Sequence, residues 1–107
     1  MLFRSRKIAL PDSWEAFPSF AIQRHHLDTH RHVNNCQYVR MAEDYFPEGC
    51  KVRKLRVEYK KQALLGDTFF PLVYKEEEKT MVIFNASEAA PGKRPDPFAV
   101  VEAQFQA

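Results

Sequence analysis

Only one segment of this sequence has a helical period, and each regular segment after it has the period of a β-strand. In that segment apolar residues recur at spacings of three and four, with polar residues on the opposite face. The apolar positions are Tyr38, Met41, Ala42 and Tyr45. One amphipathic helix cannot cover both faces of a sheet, but a sheet that curls around the helix would bury its apolar stripe. The pattern therefore predicts an α+β domain with one helix and one curved sheet.

Cap and turn residues set the boundaries of the predicted elements. The helix is expected to begin at Asn34 or Asn35, whose side chains can accept a first-turn N–H, and to run for about twelve residues. Pro47 and Gly49 mark its end. Strands are predicted over residues 19–27, 55–60, 68–76, 80–87 and 98–105, with a turn at Gly66-Asp67. The expected sheet is antiparallel and has about five strands.

The length of 107 residues suits a single domain, which can bury one continuous core but not two. Residues 1–18 contain Pro11 and Pro18, and are predicted to form an irregular connector with one short helical turn near residues 12–15. Residues 19–107 then form the single folded domain.

Composition excludes several classes of protein. The longest apolar run, residues 69–74, is far short of the ~20 residues that cross a bilayer, so no membrane span is expected. Sixteen basic and fourteen acidic residues give a net charge of +2, too small for a dedicated nucleic-acid binder but suited to an anionic partner. Cys36 and Cys50 are too few for a disulfide framework, and the N-terminus lacks the apolar stretch of a secretory signal. A reducing, cytoplasmic location is predicted.

The junction where the helix begins concentrates side chains that can carry out chemistry. Asp28 can serve as a base or nucleophile, and His30 and His32 can donate protons. Unpaired N–H groups at the start of a helix, here near Asn34 and Asn35, can hold a developing oxyanion. These are the groups that acyl transfer requires. The structural alternative is that Asp28 caps loop N–H groups and the asparagines cap only the helix.

The four histidines do not have the spacing of a known metal-ligand motif. They are His25, His26, His30 and His32. No physiological metal and no other cofactor is therefore expected, and the first two histidines are assigned to the surface or to the preceding strand.

Three segments resemble one protein family. LDTHRHVNNCQY, residues 27–38, is similar to the signature LDxNxHVNNxxY of acyl-ACP thioesterases, which lies in the second of their two tandem hotdog domains. VEYKKQ, residues 57–62, resembles the strand EYRREC of the same family, and RKIALPDSWEAFPSF, residues 6–20, resembles its connector into the second domain. The resemblance implies a hotdog fold, an antiparallel sheet wrapped around one central helix.

Matching the motifs residue by residue implies roles for particular side chains. The family's catalytic Asp and His fall on Asp28 and His32, and its intervening Asn is replaced by His30. Its Glu-Cys pair falls on Gln62 and Ala63, which excludes a Cys-His mechanism at that position. Asp28 would then act as a nucleophile that forms a mixed anhydride or as a base for water. Gln62 could orient a water or the thioester carbonyl by hydrogen bonds.

The resemblance implies hydrolysis of fatty acyl thioesters, with acyl-ACP preferred to acyl-CoA and free fatty acid as the product. Val33, Tyr38 and the N–H groups near Asn34 and Asn35 would support the substrate or its oxyanion, with His30 assisting. The basic side chains that could attract an acyl carrier protein or a CoA phosphate are Arg53, Lys54, Arg56, Lys60, Lys61, Lys93 and Arg94. Two alternatives stay open: a single-hotdog acyl-CoA thioesterase, and a non-catalytic module that binds acyl chains or completes a partner's sheet.

Members of the resembled family carry two hotdog domains in one chain, whereas this sequence supplies one. A lone hotdog domain exposes a sheet edge and half of an active site. The chain is therefore expected to form a homodimer with a continuous sheet or to pair with a second hotdog domain.

Overall fold

Four long antiparallel strands dominate the fold in a computed structural model, which describes residues 2–5, 10–11, 13–27, 33, 35–89 and 94–106. In chain order the elements are β1 (Leu2–Ser5), β2 (Glu15–Ala16), β3 (Phe20–Ala21), α1 (Asn35–Glu43), β4 (Val52–Tyr59), β5 (Thr68–Glu76), β6 (Lys79–Asn85) and β7 (Pro97–Phe105). A 3-10 turn at Arg24–His26 follows β3. In the described part of the chain, no helix is long and apolar enough to span a membrane.

The sheet has the order β1-β4-β7-β6-β5-β2, and β3 pairs separately with β5. Strands β5, β6 and β7 follow one another as antiparallel neighbours, and β4 joins the far side of β7, also antiparallel. The order separates β4 from β5 although they are consecutive in the chain. The loop between them, residues 60–67, therefore carries the chain past β7 and β6, from the β4 end of the strand order to the β5 end.

The helix lies against one face of the sheet, and the two enclose the main core. Tyr38, Met41 and Ala42 are buried there, which confirms the predicted stripe, while Tyr45 is only half-buried and packs edge-on against Phe17 at 5.1 Å. The sheet contributes side chains from all four long strands: Leu55, Val57, Phe69, Val73, Val82, Phe84, Ala99, Val101, Ala103 and Phe105. Burying one large apolar side chain contributes roughly 1.5–3 kcal/mol. This arrangement is the hotdog fold that the sequence resemblance implied.

The opposite face of the sheet carries a second, smaller apolar cluster. Its buried members are Leu72, Met81, Ile83 and Val100, which come from the alternate positions of β5, β6 and β7. Leu10 and Trp14 of the connector pack against this cluster. The connector therefore covers apolar surface that would otherwise be exposed to water.

Several predicted elements differ from the observed ones, because pairing partners are not local. The strand predicted over 19–27 is reduced to Phe20–Ala21, since Ala21 lies opposite Thr68, the first residue of β5, and the chain beyond it has no neighbouring strand. Ile22 N–H still donates to the Asp67 carbonyl at 2.8 Å before the chain turns. The helix is also shorter than predicted, with nine residues, and ends in a turn closed by Tyr45 N–H on the Ala42 carbonyl.

The connector also differs from prediction. In place of a helical turn near residues 12–15, Glu15–Ala16 forms β2 beside β5. Residues 2–5, predicted to be irregular, form β1 and pair with β4 at residues 54–57. This pairing is parallel, so the sheet is not wholly antiparallel.

A nearly buried ion pair links two strands on the outer face of the sheet. Arg56 donates to Glu102 at 2.9 Å, and Lys79 lies 4.0 Å from the same carboxylate, whose side chain is 6% exposed. We expect Arg56→Met to lower the free energy of unfolding by about 3 kcal/mol, because the carboxylate would lose its main partner while staying buried. Urea denaturation would measure the change.

Two further variants separate this effect from loss of packing. The double variant Arg56→Met/Glu102→Leu should recover most of the stability, since it removes both charges from the buried position. Lys61→Met breaks the exposed pair with Asp96 and should cost no more than about 1 kcal/mol. A double variant as unstable as Arg56→Met alone would contradict the electrostatic explanation.

Candidate active site

The structure describes the backbone of half of the residues that the sequence assigns to the site. Asp28, His30, His32 and Asn34 lie outside the described residues. Val33, Asn35, Tyr38 and Gln62 lie within them. These four residues and the elements that hold them form the described part of the candidate site.

Val33 anchors the chain immediately before the helix. It is 5% exposed and belongs to the main core, and α1 begins two residues later at Asn35. The first-turn N–H groups of any helix have no partner within the helix and carry its positive dipole end. The predicted catalytic segment, residues 28–32, thus immediately precedes a buried anchor and a helix N-terminus.

The β4–β5 loop, residues 60–67, is held at its first end by β7 and the chain before it. The N–H groups of Lys60 and Lys61 both donate to the Phe98 carbonyl, at 2.8 and 3.2 Å. The Lys61 ammonium pairs with Asp96 at 2.7 Å and lies 5.2 Å from the Phe98 ring centroid. Gln62, the next residue, is exposed. The backbone of Gln62 therefore begins next to a residue, Lys61, that is hydrogen-bonded to β7.

Asp67 closes the other end of the β4–β5 loop. Its carboxylate accepts the Leu64 N–H at 2.9 Å, and its own N–H donates to the Leu64 carbonyl at 3.0 Å. Gly66, with φ of +93°, adopts the left-handed conformation that this turn requires. The sequence predicted this turn, but not the hydrogen bond from the Leu64 N–H to the Asp67 carboxylate.

Aromatic contacts bring this loop beside the helix. The Tyr38 ring, at the end of the first turn of α1, packs edge-on against Tyr59 with centroids 5.5 Å apart. Tyr59 is the last residue of β4, and Ala63 in the following loop is buried in the same core cluster as Val33 and Tyr38. The structure therefore brings the beginning of the helix and the loop that carries Gln62 to the same end of the domain.

Tyr38 is the buried polar residue of this region. It is 0% exposed, and no hydrogen-bond partner for its hydroxyl is found within the described residues. Burial raises the pKa of this hydroxyl well above its ordinary value, and Tyr59 and Asp67 raise it further. The group is therefore a neutral hydrogen-bond donor at physiological pH.

The basic residues expected to attract an anionic partner do not form one uniform patch. Arg56 and Lys61 form the ion pairs described above, and Lys60 pairs with Glu58 at 3.1 Å. Arg53 donates to Gln104 at 3.1 Å. Lys93 lies outside the described residues. Acidic neighbours reduce the field of those cations that they pair with, so a long-range attraction would depend on the remaining ones.

Comparisons with known proteins agree on family and fold. A family model described as the acyl-ACP thioesterase C-terminal domain matches residues 12–96. An acyl-ACP thioesterase from Bacteroides thetaiotaomicron VPI-5482 superposes with a TM-score of 0.68 and 18% identity, covering 92% of this chain and 42% of that one. The probable thioesterase YbaW from Escherichia coli superposes with a TM-score of 0.60 and 17% identity, covering 82% of this chain and 78% of that one. No curated protein sequence matches the chain.

Proposed function

The chain belongs to the acyl-ACP thioesterase family, whose C-terminal domain it matches over residues 12–96, and from this we propose that it hydrolyses fatty acyl-ACP to free fatty acid. The family and the hotdog fold support acyl thioester hydrolysis, while the preference for the carrier protein and the fatty acid product are our proposal. The observation that carries it is structural. The motif of residues 27–38 leads into a helix whose early turns lie against the end of β4 and the β4–β5 loop.

In the proposed mechanism Asp28 attacks the thioester carbonyl or activates a water that does so. In the first route its carboxylate forms a C–O bond, the C–S bond breaks, and water then hydrolyses the mixed anhydride. In the second route the water proton passes to Asp28 and the C–S bond breaks in one addition–elimination sequence. His32 positions the reacting group or protonates the leaving thiolate, and His30 assists. N–H groups near Asn34 and Asn35 stabilise the oxyanion.

We assign Gln62 the role of a hydrogen-bonding group for the water or the carbonyl. Its amide can donate and accept hydrogen bonds, which suits binding of a neutral water or carbonyl group. The carboxylate that the resembled family carries at this position could only accept hydrogen bonds and would repel an oxyanion. Support comes from the two fixed ends of the β4–β5 loop, which limit the conformations of the Gln62 backbone.

A second hotdog domain is proposed as the structural partner, either another copy of this chain or a domain of a longer chain. This chain spans 42% of the Bacteroides protein but 78% of YbaW. Tyr59, at the end of β4, and Leu64 and Leu65, in the β4–β5 loop, are 42, 47 and 51% exposed, and large apolar side chains exposed in this way suit a protein interface. β1 pairs with residues 54–57 of β4, so any partner that extends the sheet there must accommodate or displace it.

A cytoplasmic location is proposed as well. Cys36 and Cys50 are both free thiols in the structure, which suits a reducing compartment.

Thiol release from a medium-chain acyl-ACP, followed over many turnovers, tests the proposed function. We expect sustained turnover, with a kcat/KM at least tenfold higher than for the matched acyl-CoA, because the carrier protein adds binding contacts that CoA lacks. Many turnovers are needed because exposed Cys36 and half-buried Cys50 could react with a thiol reagent.

Light scattering in the assay buffer should give about twice the 12.5 kDa chain mass for a homodimer.

Two results would replace this proposal with its alternatives. Faster turnover of acyl-CoA would indicate a single-hotdog acyl-CoA thioesterase. Acyl-chain binding without turnover, by a chain with native circular dichroism, would indicate a non-catalytic module or a domain that needs a partner. Adding a separately expressed N-terminal hotdog domain of a family member would then distinguish those two cases.

A further inference from the structure

The Tyr38 hydroxyl is buried beneath aromatic side chains and has no described group to bond. Its ring lies 5.6 Å from Phe69 and 5.4 Å from Phe84 between centroids, and both of those residues are 0% exposed. Leaving a buried hydroxyl without a partner costs about 1–3 kcal/mol. Phenylalanine at this position would keep the ring contacts and avoid that cost. A tyrosine here is therefore unfavourable for the stability of the free chain.

The direction of the side chain relates the hydroxyl to the candidate site. Side chains in an α-helix lean towards the turn N-terminal to their own Cα, so Tyr38 leans towards the beginning of α1. Its ring packs against Tyr59, the last residue of β4, with centroids 5.5 Å apart, and it shares the buried core cluster with Ala63 of the β4–β5 loop. The Tyr38 side chain is thus beside both elements that the proposed function assigns to the thioester.

Tyr59 is the solvent-exposed ring among the described rings that pack on Tyr38. Of the rings packed on Tyr38, those of Phe69 and Phe84 are fully buried, whereas Tyr59 is 42% exposed. A substrate that displaced the Tyr59 ring would therefore approach Tyr38 without moving the two buried phenylalanine rings.

We propose that the Tyr38 hydroxyl donates a hydrogen bond to the carbonyl oxygen of the bound acyl thioester and strengthens it as that oxygen becomes an oxyanion. This inference rests on the proposed function and adds a donor to the helix N–H groups. The missing partner of the hydroxyl is then the substrate. The donor is always protonated, because its pKa lies above the physiological range.

Tyr38→Phe separates a substrate donor from a structural residue. We expect kcat to fall by roughly 100-fold, the effect of removing one oxyanion donor, with KM changed little. The melting temperature should stay equal or rise, because the variant removes an unsatisfied buried hydroxyl. Tyr45→Phe is the matched control, since Tyr45 lies seven residues further along the chain, in the turn that follows α1, and is half-buried. It should change neither kcat nor the melting temperature.

A binding measurement keeps the test independent of turnover. The probe is a 2-oxoalkyl-CoA, which keeps the carbonyl oxygen but cannot be hydrolysed, and its reference is an alkyl-CoA thioether of equal length. Tyr38→Phe should weaken the ketone roughly tenfold and leave the thioether unchanged. If wild-type chain binds both probes but hydrolyses no thioester, the proposed function fails while this selective loss still supports the donor role.

Two outcomes would overturn the inference. One is a melting temperature several degrees lower in Tyr38→Phe, which would show that the hydroxyl has a partner within the protein. The other is equal affinity of both probes for variant and wild type, which would show that the hydroxyl does not contact the carbonyl oxygen.

Discussion

Asp28→Asn should abolish turnover, lowering kcat for acyl-ACP by about 10³-fold or more while the chain stays folded. An amide is neither a base nor a nucleophile at neutral pH, so both proposed routes require the carboxylate. Asparagine has nearly the same volume and can still accept a cap hydrogen bond, so the local backbone should be preserved. Steady-state thiol release measures the loss, and thermal unfolding followed by circular dichroism checks the fold.

The control for this experiment is Asp44→Asn. Asp44 is an exposed carboxylate in the turn that follows α1, at the other end of the helix from the motif. Its removal changes the net charge by the same amount, and turnover should stay within twofold of the wild type. If Asp28→Asn also kept wild-type turnover, Asp28 would be a cap residue and the mechanism would have to rest on other groups.

Phe69→Ala is expected to have the largest effect on stability. Phe69 is 0% exposed, and its ring contacts four others, with centroid distances of 5.3–5.7 Å: Phe20, Tyr38, Phe84 and Phe98. Truncating a buried phenylalanine costs about 3–5 kcal/mol, a large share of the 5–15 kcal/mol that a domain typically has. The midpoint of urea denaturation should fall steeply, with the slope unchanged if the unfolded state is unaffected.

Leu65→Ala supplies the comparison. Leu65 is 51% exposed in the β4–β5 loop, and its truncation should change the free energy of unfolding by less than about 0.5 kcal/mol. Phe69→Leu should lie between the two, since leucine fills part of the space. Similar midpoints for Phe69→Ala and Leu65→Ala would mean that the aromatic cluster contributes little to the stability of the fold.

The sequence alone predicted those features of the fold that depend on residues close together in the chain. The apolar run between the turn at Gly66-Asp67 and the charged residues 75–79 predicted β5 with the bounds that the structure has, Thr68–Glu76, because turn residues and a charged hairpin end are local signals. The helical spacing of Tyr38, Met41 and Ala42 identified the buried stripe for the same reason. The candidate catalytic residues Asp28 and His32 came from the motif and remain predictions.

Only the tertiary structure decided properties that need a partner distant in sequence. β3 stops at Ala21 because β5 begins opposite it, and residues 2–5 become a strand because the edge of β4 is there to receive their hydrogen bonds. Glu102 is buried because Arg56, forty-six residues away in the chain, lies on the adjacent strand. The helical spacing places Tyr38 in the apolar stripe, and the motif resemblance implies a supporting role for it. That its hydroxyl is buried and its ring packs against Tyr59 follows only from how the helix packs on the sheet, because the period of a helix gives the face of a side chain but not the groups that meet it.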